Sequence, residues 1–229
     1  MSMVLASRAA NPLLRWSYLV EQWDRIQEAI LQHIQLTLLA VGVGFVVSAV
    51  LAFIGMRYRW TSTPITLFAA FLYTIPSVAF FGILVSYLGL SLLTALIPLT
   101  AFTILILVTN MMDGFASVPA AVREAADGMG LTPTQRLFTV EVPIAVPYII
   151  NGLRIATVTT VGLVTVAAIV GYGGLGRLIL DGLRRAFWTP LTVGASLSIL
   201  LALLFDLLFF ALGAWLTPWA RRRQAGGSA

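Results

Sequence analysis

Five stretches of this chain are apolar over the roughly 20 residues a helix needs to cross a bilayer's hydrocarbon. They lie at about 34–56, 65–88, 90–111, 149–170 and 191–217. Inside lipid every backbone N–H and C=O must be satisfied within the segment, as a helix does. The expected fold is therefore all-α and polytopic, with about five transmembrane helices. With 59% hydrophobic and 10% charged residues, a soluble domain of 229 residues is excluded.

The absence of cysteine rules out disulfides, thiolate metal sites and cysteine nucleophiles. All 14 basic residues are arginine, and the net charge is +5. They do not gather on one face, so nucleic acid is not an expected partner. They sit at span ends, where arginine sets orientation and meets lipid headgroups. No compact apolar core with a small-residue cleavage site stands near residue 25, so a cleaved signal peptide is not expected.

The second and third spans meet at Gly89, which implies a tight hairpin. Ahead of the first span, Trp16, Leu19, Trp23, Ile26, Ile30 and Ile34 recur at helical spacing, with Glu21, Arg25, Glu28 and Gln32 opposite. That pattern suits a helix lying in the membrane interface; a helix packed on the protein's own surface is the alternative. The chain thus reads as an N-terminal interfacial segment 1–29, a membrane domain 30–218 and a basic tail 219–229.

Arg57 and Arg59, then Arg123 and Arg136, then Arg221–Arg223 fall on one side of five spans. The positive-inside rule makes that side the cytoplasm and puts the N-terminus outside. Arg8, Arg15, Arg25, Arg177, Arg184 and Arg185 fall on the other side, so the bias is small.

Between the third and fourth spans lies a polar island, 117–143, carrying Arg123, Glu124, Asp127, Arg136 and Glu141. Charges are costly in hydrocarbon, so this segment belongs in water or against another protein. Pro119 suits a first helical turn, and Gly130 suits a left-handed helix terminus. Thr132, Pro133 and Gln135 form a second helix start with a capping box. Val118, Val122, Ala125 and Met129 form the expected apolar stripe of the first helix. An ordinary amphipathic helix on the bilayer surface would share these features.

The spacing is more specific. Glu124-Ala125-Ala126, three residues, Gly130, nine residues, then Val140-x-Val142-Pro143 resembles the cytoplasmic signature of permease subunits of binding-protein-dependent ABC importers. The family pattern ends in Ile-x-Leu-Pro, a conservative departure. Asn151–Ala156 and Gly171–Gly176 look like the same family, and the resemblance covers roughly residues 30–218. It implies a type 1 importer permease fold in an inner membrane, with the island docked as a coupling helix on a cytoplasmic ATPase. Partners would be two ATPases, a second permease copy or sister permease, an extracytoplasmic binding protein and the lipid bilayer. Thr74-Ile75-Pro76-Ser77 is similar to permeases for glycine betaine, choline and related osmoprotectants. Methionine and sulfonate permeases share much of the pattern.

Gly171, Gly173 and Gly176 also satisfy G-x-G-x-x-G, but a dinucleotide site needs a preceding strand and an acidic residue further on. A tight extracytoplasmic turn involving Gly171, Gly173, Gly174 and Gly176 is the better reading. A P-loop is excluded, since it needs a lysine. The chain is therefore expected to be no enzyme and to hold no cofactor, with ATP and Mg bound by the partner ATPase.

His33, the sole histidine, is expected to make a polar contact at headgroup level, not to bind metal. Asp206 sits in mid-span, either hydrogen-bonded to another span or dimer partner or coupled to protons. Pro76, next to Tyr73, is either a gate hinge or a packing kink. An ion-coupled secondary transporter and a membrane-bound assembly protein are the rival classes.

Overall fold

In the computed structural model, residues 12–218 are described. The basic tail 219–229 and residues 1–11 of the N-terminal segment lie outside them. Helix α1 (Trp16–Glu21) stops at Gln22, and α2 (Trp23–Arg57) then runs for 35 residues. At 1.5 Å per residue α2 is about 52 Å long. From Trp23 onward the two-faced stretch and the first span are one helix, because no glycine or proline interrupts 23–41. Ile26, Ala29 and His33 on this stretch are buried within the protein.

Next come α3 (Arg59–Thr74), α4 (Ser77–Leu88), α5 (Leu92–Ala116), α6 (Ala120–Gly128) and α7 (Pro133–Arg136). A π-helical turn, Leu137–Glu141, leads into α8 (Val142–Val166) and a 3-10 turn, Ala167–Val170. Two helices complete the fold, α9 (Leu175–Arg184) and α10 (Trp188–Leu216).

Four helical runs are long and apolar enough to cross a membrane: α2, α5, Pro133–Val170 and α10. The pair α3 and α4 makes a fifth when taken as one broken span. The second span is broken at Pro76, the position read from the sequence as a hinge or kink. Proline has no N–H to donate and pushes the preceding residue out of the helical region. Accordingly α3 ends at Thr74, Pro76 is extended (φ −56°, ψ 126°), and α4 restarts at Ser77. The hairpin at Gly89 is as tight as expected. Gly89 has φ +64°, and its carbonyl accepts from the Thr94 hydroxyl at 2.7 Å.

The described residues form two compact units. The first comprises 12–41, 75–100 and 157–204. Its core is Leu36, Ala40, Phe81, Ala95, Leu99, Val164, Ala167 and Val170. Lipid tails are as apolar as leucine, so helices here associate through close packing, which small residues permit. Ala40, Ala95 and Ala167 are fully buried at these contacts. The second unit comprises 42–74, 101–156 and 205–218 and is centred on Ala52, Ala69, Val108 and Met111.

Phe81 is the largest fully buried side chain. Phe81→Ala leaves a cavity and is expected to cost about 3–5 kcal/mol. It should lower the melting temperature of the detergent-solubilised protein; an unchanged melting curve would contradict this core.

Candidate functional site

The polar island folds as two helices joined by a left-handed glycine. Pro119 is extended (φ −61°, ψ 143°) and starts α6. Gly130 has φ +79°, a conformation that strains any side chain. There the Leu131 N–H donates to the Ala126 carbonyl at 3.2 Å, closing the end of α6. The capping box is present: the Gln135 N–H donates to Thr132 Oγ1 at 3.3 Å, and the Thr132 N–H donates to Gln135 Oε1 at 2.9 Å.

The apolar stripe differs from expectation. Val118 and Ala126 are buried and Val122 half-buried, while Ala125 and Met129 face outward. Val118 precedes the extended Pro119, so it is out of register with the helix it was counted on. The outward face of α6 carries Glu124, Ala125 and Met129, the last 73% exposed. Phe138 of the π turn is 65% exposed. Large apolar side chains on a charged loop suit a surface that another protein covers.

Four of the island's five charges make one network. Glu141, only 9% exposed, accepts from Arg136 Nε at 3.0 Å and lies 3.5 Å from Arg123 Nε. Arg136 Nη1 donates to both Asp127 oxygens at 2.6 Å. Arg123 Nη2 donates to the Phe115 carbonyl at 2.7 Å. These bonds tie α6 to the π turn, which holds the half-buried Val140 and leads to Pro143 in the first turn of α8. Glu124 makes no ion pair among the described residues and stays exposed.

The glycine turn is a packing device. Gly171 and Gly174 have φ +83° and +49°. A β-carbon on Gly174 would come within 2.7 Å of His33; one on Gly173 or Gly176 would collide with Ala168 or Thr165. The Gly174 N–H donates to Gln32 Oε1 at 3.0 Å, and the Leu175 N–H to His33 Nδ1 at 3.3 Å. Nδ1 accepts, so Nε2 carries the proton, which it donates to the Val161 carbonyl at 3.0 Å.

His33 is fully buried within the protein. It pins the turn after α8 to α2. The turn follows a helix, not a strand, so the dinucleotide fingerprint lacks its context. Among the described residues no cluster of three or more His, Asp or Glu could hold a metal.

The remaining candidates have separate settings. Tyr73, partly exposed, stacks edge-on against Phe102 with ring centroids 5.8 Å apart. Pro76 marks the break after α3. Asp206, on α10, is held by Arg154 on α8: Arg154 Nη2 donates to Oδ2 at 2.8 Å, and Nε donates to Oδ1. Of the sequence alternatives for Asp206, the structure supplies the contact to another span. Arg154 had not been singled out. Its signal was a lone arginine in the fourth apolar run matching a lone acid in the fifth. Beside the pair, Asn151 Nδ2 donates to Asn110 Oδ1 at 3.2 Å. A groove of ≈ 200 Å³ is lined by Asn151, Arg154, Phe209, Phe210 and Thr217, among others.

The family described as "Binding-protein-dependent transport system inner membrane component" matches residues 24–222. The chain belongs to this family. It is a multi-pass inner-membrane permease, the transport subunit of an ABC importer that works with ATPase and binding-protein partners. The permease is 35% identical over 206 residues to the osmoprotectant import permease protein OsmW of Salmonella typhimurium. That match covers 88% of this chain and 96% of the relative.

It is 28% identical over 187 residues to the glycine betaine/carnitine/choline transport system permease protein OpuCB of Bacillus subtilis. Here 82% of this chain and 86% of the relative are covered. Its fold is similar to a chain of the MetNI methionine ABC transporter in an inward-facing form. The TM-score is 0.75 at 19% identity, covering 86% of this chain and 98% of that one.

Glu141→Gln removes the negative charge that Arg136 and Arg123 face and is expected to loosen the loop by about 1–3 kcal/mol. Amide exchange across residues 120–136 should speed up roughly tenfold or more, since 1.4 kcal/mol is a factor of ten; unchanged exchange would contradict the network. Gly174→Ala should lower the yield of folded protein sharply, whereas Gly162→Ala, where open space surrounds the missing β-carbon, should not.

Proposed function

We propose that this permease forms the membrane pathway for a small quaternary-amine osmoprotectant of the glycine betaine, choline or carnitine class. Near-full-length similarity to permeases with osmoprotectant, glycine betaine, carnitine and choline in their names carries that reading. Substrate affinity would lie in the binding protein, where an aromatic cage suits a quaternary cation. The likeness to a methionine transporter concerns the fold alone.

In this reading the island 117–143 docks a cytoplasmic ATPase. Glu124, Ala125 and Met129 offer the exposed face, Gly130 sets the end of the helix, and Val140–Pro143 join it to α8. Two permeases, identical or sister subunits, would pair around the pathway. ATP and Mg would bind the ATPases. Closure of the ATPases would push the islands and swing the spans between inward-open and outward-open states.

With five spans, Arg57, Arg59, Arg123 and Arg136 lie on the cytoplasmic side together with the C-terminus. The N-terminus then lies outside. The loops around Gly89 and Gly171–Phe187 would receive the binding protein. With Arg154 on it, Asp206 needs no proton-carrying role to account for its place in a span.

Labelled choline and glycine betaine, offered with binding protein to proteoliposomes holding the complex, should enter only with ATP on the ATPase side. Gly130→Asp, which puts a strained and charged residue at the end of α6, should lose both the co-purifying ATPase and uptake. Uptake without ATP would overturn the importer mechanism. ATP-driven uptake of another solute, with these two excluded, would overturn the substrate class.

A further inference from the structure

The Arg154–Asp206 pair is the one ion pair among the described residues that joins two membrane-spanning runs at mid-span. We infer that it is a joint of transmission: it makes α10 follow α8 when the polar island moves. The inference rests on the importer reading above.

Three observations carry it. First, the second part of the island and the fourth span are one helical run, Pro133–Val170, with no loop between them. Second, the Glu141 network fixes α6 to the base of that run, so a push on α6 reaches α8 directly. Third, α8 and α10 pack closely beside the pair: a β-carbon added at Gly213 would already be in contact with Ile150, at 3.4 Å.

Apolar helix faces in lipid have no hydrophobic drive to stay in one register and can slide. An ion pair cannot slide without leaving charges unpaired in a low-dielectric setting. Arg154 is held at two points on α10: Asp206 binds the guanidinium through both oxygens, and the Phe210 ring lies 5.8 Å from it, one turn further on. The grip therefore fixes both height and rotation of α10 against α8. Arg154 and Asp206 are positioning residues here and need not touch substrate. Both are partly exposed, with side chains 38% and 31% accessible. Such a pair needs water or protein over its open side, not lipid.

The test uses the full complex with ATPase and binding protein in proteoliposomes. Arg154→Gln combined with Asp206→Asn removes the grip and leaves no unpaired charge. The exchange Arg154→Asp with Asp206→Arg restores a pair in reverse. Both should assemble with the ATPase at wild-type yield and keep basal hydrolysis within about twofold. The neutral double variant should lose at least tenfold in binding-protein-stimulated hydrolysis and in uptake per ATP. The exchange should recover half or more of each. A neutral variant that keeps wild-type stimulation and stoichiometry overturns the inference, and so does one that fails to assemble, which makes the pair a folding element. A wild-type complex that takes up nothing with ATP sinks the importer reading itself.

Discussion

A charge or polar group inside a bilayer has to be answered by the protein, and the structure is organised around a few such answers. Arg154 answers Asp206 across two spans. Two backbone groups answer the ring nitrogens of His33, and in doing so they fix the turn after α8. Glu141 answers two arginines at the membrane's edge. Apolar packing between spans is adaptable by comparison, since lipid competes for every such face. The polar contacts set which helices hold register with which.

That ordering suits the proposed role of the polar island as a mechanical element. Its first helix, α6, has only nine residues and is too short to persist alone in water, while α7 opens the run that continues into the fourth span. They are held by a capping box, a left-handed glycine and a charge network whose hub is nearly buried. The result is a rigid protrusion continuous with a span. Its outer face carries little charge apart from Glu124 and presents Met129 and Phe138. In the proposed reading a soluble partner would meet apolar knobs on a stiff mount, which is what transfer of force requires.

Much of this was legible in the residues. Apolar runs longer than a bilayer is thick gave the spans, and Gly130 and Thr132-x-x-Gln135 gave the island's joints, because backbone chemistry is local. The signals that failed were those where tertiary partners decide. The surface helix ahead of the first span became the start of α2, since only its burial against the protein distinguishes the two. The partners of His33, Val161 and Leu175, could not be named because they are more than 120 positions away in sequence. Asp206 was conspicuous, but its partner was hidden in a motif valued for its resemblance and not for its charge.

The central claim is that force enters through the exposed face of α6. The chain has no cysteine, so one introduced at Ala125 is a unique chemical handle. The decisive measurement is a thiol cross-link from Ala125→Cys to the co-assembled ATPase, made before ATP-driven uptake is assayed. The account predicts a high-yield cross-link that stops uptake, and its reversal on reduction. Uptake that persists with α6 quantitatively cross-linked, or no cross-link from this face in an active complex, would contradict it.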